Sequence, residues 1–138
     1  IEQLIYKINP MPYIHHPHHR HAQYANQKSQ WIISEPQELS VYLGSVKKNW
    51  RTSGAYWGLA LHDNSPQPLG VSPRPSSFIL MIAKFVADEQ NNWHGYPVAH
   101  WLSPWDKPDI SILKEWKDSG IINKAKMAKI HRGYKCSL

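Results

Sequence analysis

One segment in the first half of the chain alternates polar and apolar positions with the period of an α-helix. Residues 34–50 begin with Ser34, whose hydroxyl is a typical N-cap acceptor. Glu35 and Glu38 follow in the first turn, where carboxylates suit the positive end of the helix dipole. The pattern predicts one helix here, with an apolar inner face. That predicted face consists of Leu39, Tyr42, Leu43, Val46 and Trp50.

A run of apolar residues near the middle of the chain predicts a buried strand. Residues 78–87 read FILMIAKFVA, so both alternating faces are apolar apart from Lys84, which is typical of a central strand. The polar residues 88–92 have the length and composition of a hairpin turn. They predict an antiparallel return along residues 93–101, where Pro97 favours an edge position or a bulge. The other predicted elements are a strand or short helix at 1–8, a strand at 55–62 and a proline-rich loop at 64–77.

Two short helices are predicted near the C-terminal end. The first begins at Pro108 or Asp109 and stops at Gly120. The second follows the cap Asn123 and runs to about Arg132. The predicted fold class is therefore α+β: an antiparallel sheet of three or more strands, with one helix in the N-terminal half and two short C-terminal helices. We expect residues 1–138 to form a single domain.

Composition narrows the class of protein before any site is considered. The 138 residues are 41% hydrophobic and 12% aromatic, which is enough for a folded core. No run approaches the roughly 18 apolar residues of a membrane span, so no membrane partner is expected. Cys136 is the only cysteine, so we expect a reducing, cytoplasmic location. The composition is also compatible with a homo-oligomer.

Five of the nine histidines stand close together near the N-terminal end. They belong to the His/Pro-rich residues 9–30, which we predict to be an irregular arm because proline disfavours helices and central strands. A zinc site usually needs four ligands, often cysteines, and Pro17 divides the run. We therefore expect no metal site and no cofactor, and a surface arm that binds metal weakly or contacts a partner. The five are His15, His16, His18, His19 and His21.

The segment WHGYPVAHW, residues 93–101, offers the clearest candidates for catalysis. On a regular strand His94 and Tyr96 share a face, and histidine titrates near a working pH. His100 is too far along an extended strand to act on the same bond, whereas His62 is a candidate partner across the sheet. The plainer alternative is aromatic packing with histidines hydrogen-bonded at the sheet edge.

Most of the positive charge lies in residues 107–135, which we predict to form a basic helical hairpin. The chain has a formal charge of +6, and this stretch holds eight basic residues against three acidic ones. Lysines on an outer helix face can neutralise phosphates, which gives affinity for nucleic acid of any sequence. The alternative is a solvated face that keeps the protein soluble. The candidate contacts are Lys114, Lys117, Lys124, Lys126, Lys129, Arg132 and Lys135.

Several of the seven tryptophans lie around these candidate sites. Exposed indole rings could stack on unpaired bases or line a small-ligand pocket, whereas buried rings would belong to the core. The relevant positions are Trp93, Trp101, Trp105 and Trp116.

These features support three hypotheses about function. The first is a small basic binding protein, not an enzyme, that contacts nucleic acid through its C-terminal helices. The second is a small ribonuclease or toxin-like hydrolase that needs no metal and uses His94 with Tyr96. The third is a protein-interaction or small-ligand module. A cleft that holds His94 and a basic residue would favour the enzyme, whereas a continuous convex basic face would favour the binding protein.

Overall fold

A computed structural model of the protein describes residues 5–8 and 11–138, with side chains from residue 12 onward. Within these residues the fold is α+β with mostly antiparallel strand pairing, as predicted. The helices are α1 (Glu35–Lys47), α2 (Ile110–Asp118) and α3 (Lys124–His131). The strands are β1 (Ile5–Ile8), β2 (Met11–Ile14), β3 (Gln30–Trp31), β4 (Arg51–Thr52), β5 (Ala55–Gly58), β6 (Ala60–His62), β7 (Ser65–Gln67), β8 (Gly70–Val71), β9 (Ile79–Leu80), β10 (Ile82–Ala87) and β11 (Trp93–Val98).

The main sheet is centred on the predicted hairpin of β10 and β11. Its strand order is β1-β2-β11-β10-β5-β4, so β10 is an interior strand, as the apolar run predicted. The single strand predicted over residues 78–87 is divided, however, because Ile79–Leu80 forms β9 of a different sheet. The two strands pair antiparallel from Ile82 opposite Val98 to Ala87 opposite Trp93. The carboxylate of Asp88 accepts two backbone N–H bonds inside the turn, which stabilises the hairpin. Smaller sheets join β3-β8-β9 and β6-β7.

The main sheet separates two apolar clusters because alternate side chains of a strand point to opposite faces. On one face, residues of α1 pack with aromatic side chains such as Phe85 and Trp93. On the other face, Trp57 and Val98 pack with the inner side chains of α2 and α3. Gly95 is required between Trp93 and Pro97, since a Cβ there would lie 2.1 Å from Cδ1 of Phe85.

β11 lies deeper in the sheet than Pro97 suggested. At its start Trp93 pairs in parallel with Tyr13 of β2, so this end of the strand has neighbours on both sides. Pro97 lies beyond that pairing and is fully buried. Its ring packs so closely on Gly70 that a Cβ on Gly70 would approach it to 2.3 Å.

The inner face of α1 differs from the predicted one. Ser34 and Gln37 form the capping box that begins the helix, as the N-cap signal indicated. Leu43 is 36% exposed, however, whereas the carboxylate of Glu38 is fully buried. A charged side chain can occupy a core position only if donors surround it, and Glu38 has such donors. The buried positions of α1 are Glu38, Val41, Tyr42 and Ser45.

Two segments predicted as irregular contain strands. The arm over residues 9–30 includes β2, and its remainder folds into 3-10 turns at Pro17–His19 and Ala22–Tyr24. The predicted loop over residues 64–77 contains β7 and β8. β2 and β8 pair with strands that are distant in sequence, β11 and β3, which local composition does not reveal, whereas β7 pairs with the neighbouring β6 in a tight hairpin.

The C-terminal end follows the prediction closely. The Asp109 carboxylate accepts the Ser111 N–H at the start of α2, and the Asn123 side chain caps α3. Gly120 has a φ of +77°, a left-handed conformation that glycine adopts without strain. No helix in the described part of the chain is both long and apolar enough to cross a membrane.

Candidate active site

A cavity of about 440 Å³ lies where the histidine-containing turn meets β11. His94 and Tyr96 are both half-buried and project from the same side of β11, as the alternation along the strand predicted. The turn adds three further histidines, so the run near the N-terminus and the candidates on β11 form one site. The polar side chains that line the cavity are His16, His18, His19, Gln27, Lys28, Ser29, His94, Tyr96 and Asp106.

The aromatic rings in this cavity contact one another. The ring centroids of His16 and His94 are 5.2 Å apart. The His19 ring stacks on Tyr96 with centroids 5.1 Å apart and an angle of 16° between the planes. These contacts fix the imidazoles against β11, which is a rigid element in the middle of the sheet.

His19 is held in one tautomer by the backbone. Its Nδ1 lies 2.8 Å from the carbonyl oxygen of Ser29, and a carbonyl can only accept, so Nδ1 carries the proton. The hydroxyl of Ser29 in turn donates to the carbonyl of Pro97, which ties this loop to β11. Burial lowers the pKa of His19 to about 4. At neutral pH its Nε2 therefore has a free lone pair, as a general base requires.

His16 is held in the opposite tautomer. Its Nδ1 accepts the backbone N–H of His18 at 3.2 Å, so the proton of the neutral ring is on Nε2. Burial lowers the pKa of His16, and the nearby His94, His18 and Lys28 lower it further. This ring is therefore a neutral hydrogen-bond donor.

The pKa of His94 is lowered overall, although two carboxylates partly oppose the shift. Burial lowers its pKa, but Asp88 and Glu38 act in the opposite direction. The cavity thus combines a ring suited to accept a proton, His19, with a ring that carboxylates help to protonate, His94. That combination is the chemical requirement for acid–base catalysis by two histidines.

Two further groups in the cavity wall keep their protons more firmly than usual. Burial, together with the Asp106 carboxyl, raises the pKa of Tyr96 to about 12, so its phenol stays protonated. Burial also raises the pKa of Asp106, which the nearby Lys84 partly opposes. His94 and Tyr96 therefore line one cavity, and the Tyr96 phenol is available there as a hydrogen-bond donor.

A buried carboxylate anchors both ends of the histidine segment. Glu38 of α1 receives Nη2 of Arg20 at 2.7 Å and Nε of Arg20 at 3.1 Å. His15 Nδ1 lies 3.1 Å from the same carboxylate oxygen, and the phenol of Tyr13 donates to the other. Arg20 also donates to the carbonyl of Ile33. Residues 16–19 therefore lie between His15 and Arg20, which both contact the buried Glu38.

The other histidines considered from the sequence lie elsewhere. His62 is exposed and 3.5 Å from the carboxylate of Asp63. His100 is buried past the end of β11, where its Nε2 is 2.7 Å from the carbonyl of Tyr134. Neither of them lines the cavity that holds His94.

The predicted basic contacts are mostly at the surface, but not all of them are free. The ammonium of Lys117 pairs with Asp118 at 3.2 Å, and that of Lys126 donates to the carbonyl of Leu138. Lys135 lies 3.2 Å from the centroid of the Phe78 ring. The exposed members of the set are Lys114, Lys124, Lys129, Arg132 and Lys135.

Sequence reasoning missed Lys28, Asp106 and Glu38 as parts of this site. Glu38 and Lys28 come from segments distant in sequence from β11, Asp106 follows it by a short connection, and no local pattern marks any of them. Among residues 12–138, no group of three or more His, Cys, Asp or Glu side chains is arranged so that it could hold a metal ion. Comparisons with protein-family models, with curated proteins and with solved structures gave no match.

Proposed function

We propose that the protein is a small histidine-dependent ribonuclease that needs no metal. The observation that supports this proposal best is the shared cavity of His19 and His94: the His19 ring keeps its Nε2 lone pair free, and two carboxylates partly oppose the burial that lowers the pKa of His94. Lys28 supplies a positive charge at the same cavity. A cavity with His94 and a basic residue is the feature that distinguishes the enzyme from a binding protein.

The proposed reaction transfers one proton at each end of a phosphodiester. Nε2 of His19 takes the proton of a ribose 2′-hydroxyl, and the 2′ oxygen forms a bond to phosphorus. The bond from phosphorus to the 5′ oxygen breaks, and protonated His94 gives its proton to that oxygen. The products are a 2′,3′-cyclic phosphate and a free 5′-hydroxyl, so atoms and protons balance.

The remaining cavity groups suit the charge that develops at phosphorus. The neutral His16 ring can donate its Nε2–H to a phosphoryl oxygen, and the Lys28 ammonium can offset the negative charge. Asp106 also lines the cavity; burial raises the pKa of its carboxyl, and the nearby Lys84 ammonium offsets its negative charge when it is ionised. The cavity wall can therefore accept a phosphodiester.

Cleavage of RNA by matched variants tests the proposal. The parent protein, assayed with EDTA present, should cleave RNA and release fragments with 2′,3′-cyclic phosphate ends. H19A and H94A should each lower kcat by about 10²- to 10⁴-fold, the usual contribution of one acid or base. H62A is the control, because His62 is exposed and remote from the cavity lining, and it should be fully active. A parent that cleaves no RNA would refute the proposal, as would full activity in H19A or H94A with an unchanged Tm.

Binding of nucleic acid through the C-terminal helices is a second proposal, supported by the exposed cations of α2 and α3. Exposed lysines can neutralise phosphates without reading sequence. This role is compatible with cleavage, since the same surface would raise the local concentration of RNA. We also propose a cytoplasmic location, because Cys136 has no partner cysteine in the chain.

A further inference from the structure

Trp105 is exposed in a protein whose other large aromatic side chains are mostly buried. Its relative exposure is 79%, compared with 3% for Trp93 and 0% for Trp116. An indole ring offers a large apolar face, and leaving that face in water forgoes the burial that other tryptophans of this chain obtain. Trp105 thus has a surface free to receive a flat apolar group.

A second cavity of about 380 Å³ lies beside Trp105. Trp57 and Trp105 supply aromatic surface to it, and Lys84, Lys107 and His131 line it as well. The ammonium of Lys84 lies 5.4 Å from the centroid of the Trp57 ring and donates to the carbonyl of Trp105.

The two lysines of this cavity are held in place. The ammonium of Lys107 donates to the carbonyl of His131 at 2.8 Å, just as Lys84 is fixed by a backbone carbonyl. Asp109 also lines the cavity, but its carboxylate already accepts the N–H and hydroxyl of Ser111. The two lysines outnumber this one carboxylate, so the cavity is positively charged. Positive charge beside an aromatic side chain suits a nucleotide.

One short segment forms a wall of both cavities. Leu102 and Asp106 line the histidine cavity, and Pro104, Trp105 and Lys107 line the second one. The two cavities are therefore neighbours, separated by this segment and its Trp105 side chain.

We propose that the second cavity binds a nucleotide of a single-stranded RNA that lies beyond the two nucleotides flanking the cleaved bond. The base stacks on the indole of Trp105, and Lys84 and Lys107 lie near the phosphate. This inference rests on the proposed function, because it takes the histidine cavity as the site of cleavage. Single-stranded RNA is required, since a base paired in a duplex has no free face to stack on one protein ring.

Cleavage of substrates of two lengths tests the subsite. For an oligouridylate octamer, W105A should lower kcat/KM about tenfold, because a stacked base is lost. The dinucleotide uridylyl-uridine contains only the two nucleotides that flank the cleaved bond, so it leaves the second cavity empty and the loss should be much smaller. W105F should recover most of the activity on the octamer, since a phenyl ring still stacks.

Tyr134→Ala is the matched control, because Tyr134 is an aromatic side chain with 58% exposure that lines neither cavity. Y134A should cleave both substrates like the parent. Equal losses on both substrates in W105A, or none on the octamer, would overturn the subsite while leaving the ribonuclease proposal standing.

A binding experiment separates failure of the subsite from failure of the proposed function. Fluorescence anisotropy of a labelled deoxyuridine octamer, which lacks the 2′-hydroxyl and cannot be cleaved, should show about tenfold weaker binding to W105A than to the parent. If the parent cleaves no RNA but W105A still binds more weakly, the proposed function fails and the stacking site stands. If parent and W105A bind equally, the subsite is refuted whatever the cleavage result.

Discussion

The buried carboxylate of Glu38 should be the most sensitive single position for the stability of the histidine segment. Its side chain has no exposure, and that of Arg20 has only 17%. The substitution Glu38→Gln keeps the shape and an acceptor for Tyr13 but removes the charge that Arg20 faces. The guanidinium then remains largely buried without an anion.

The size of the effect follows from the burial of both partners. Removing one partner of a buried ion pair costs about 3–5 kcal/mol, and the small exposure of Arg20 favours the lower end, about 3 kcal/mol. For a chain of this length we expect a fall in Tm of roughly 10–15 °C. Glu38→Ala should cost more, because Tyr13 then loses its acceptor as well.

Urea and thermal unfolding followed by circular dichroism would measure these changes. Glu35→Gln is the control, since it removes the same charge from the first turn of α1 and should cost only about 0.3–1 kcal/mol through the helix dipole. A double-mutant cycle with Arg20→Met should show a coupling of at least about 0.5 kcal/mol. If E38Q is no less stable than E35Q, the buried network does not anchor the segment and the reasoning is wrong.

Two further predictions concern pH and salt. The plot of kcat/KM for RNA against pH should be bell-shaped. It should rise as His19, whose pKa is about 4, loses its proton, and it should fall as His94 loses the proton that it must donate, at a pH below 6.5 because burial lowers the pKa of His94. A profile that still rises above pH 7 would contradict these roles. Replacing Lys124, Lys129 and Arg132 by Glu should weaken RNA binding for all sequences alike and flatten the log–log salt slope by about 0.7–0.9 per lost contact, as measured by anisotropy titrations; an unchanged slope would remove α3 from the interface.

Elements with strong local signals could be predicted from the sequence. Ser34 begins α1, Asp109 and Asn123 begin α2 and α3, and Gly120 ends α2, because caps and left-handed glycines act within a few residues. The β10–β11 hairpin also forms as expected, since its turn and its apolar run are adjacent in sequence. Local chemistry is sufficient for all of these.

The errors arise where distant residues decide the structure. Glu38 looked like a first-turn carboxylate at the surface, but donors from β2 and the following turn draw it into the core. With Glu38 on the buried side of α1, Leu43 lies on the side that faces solvent. Similarly, Pro12 argued against a strand, yet β2 forms because β1 and β11 supply partners on either side of it.

The surroundings of the histidine run depend on how β2 pairs with β11. The two strands run parallel, with Tyr13 opposite Trp93, so the chain that leaves β2 continues along β11 in the same direction. The residues after Tyr13 therefore pass the residues after Trp93 in order, and His16 meets His94 before His19 meets Tyr96. An antiparallel pairing would carry the run away from these side chains. A slip of one residue in the pairing of β11 with β10 would turn His94 and Tyr96 toward the opposite face of the sheet, because the side-chain period of a strand is two. Five histidines in a loop have no specific chemistry of their own; this register places His16 against His94 and His19 against Tyr96, which is the arrangement that the proposed proton transfers require.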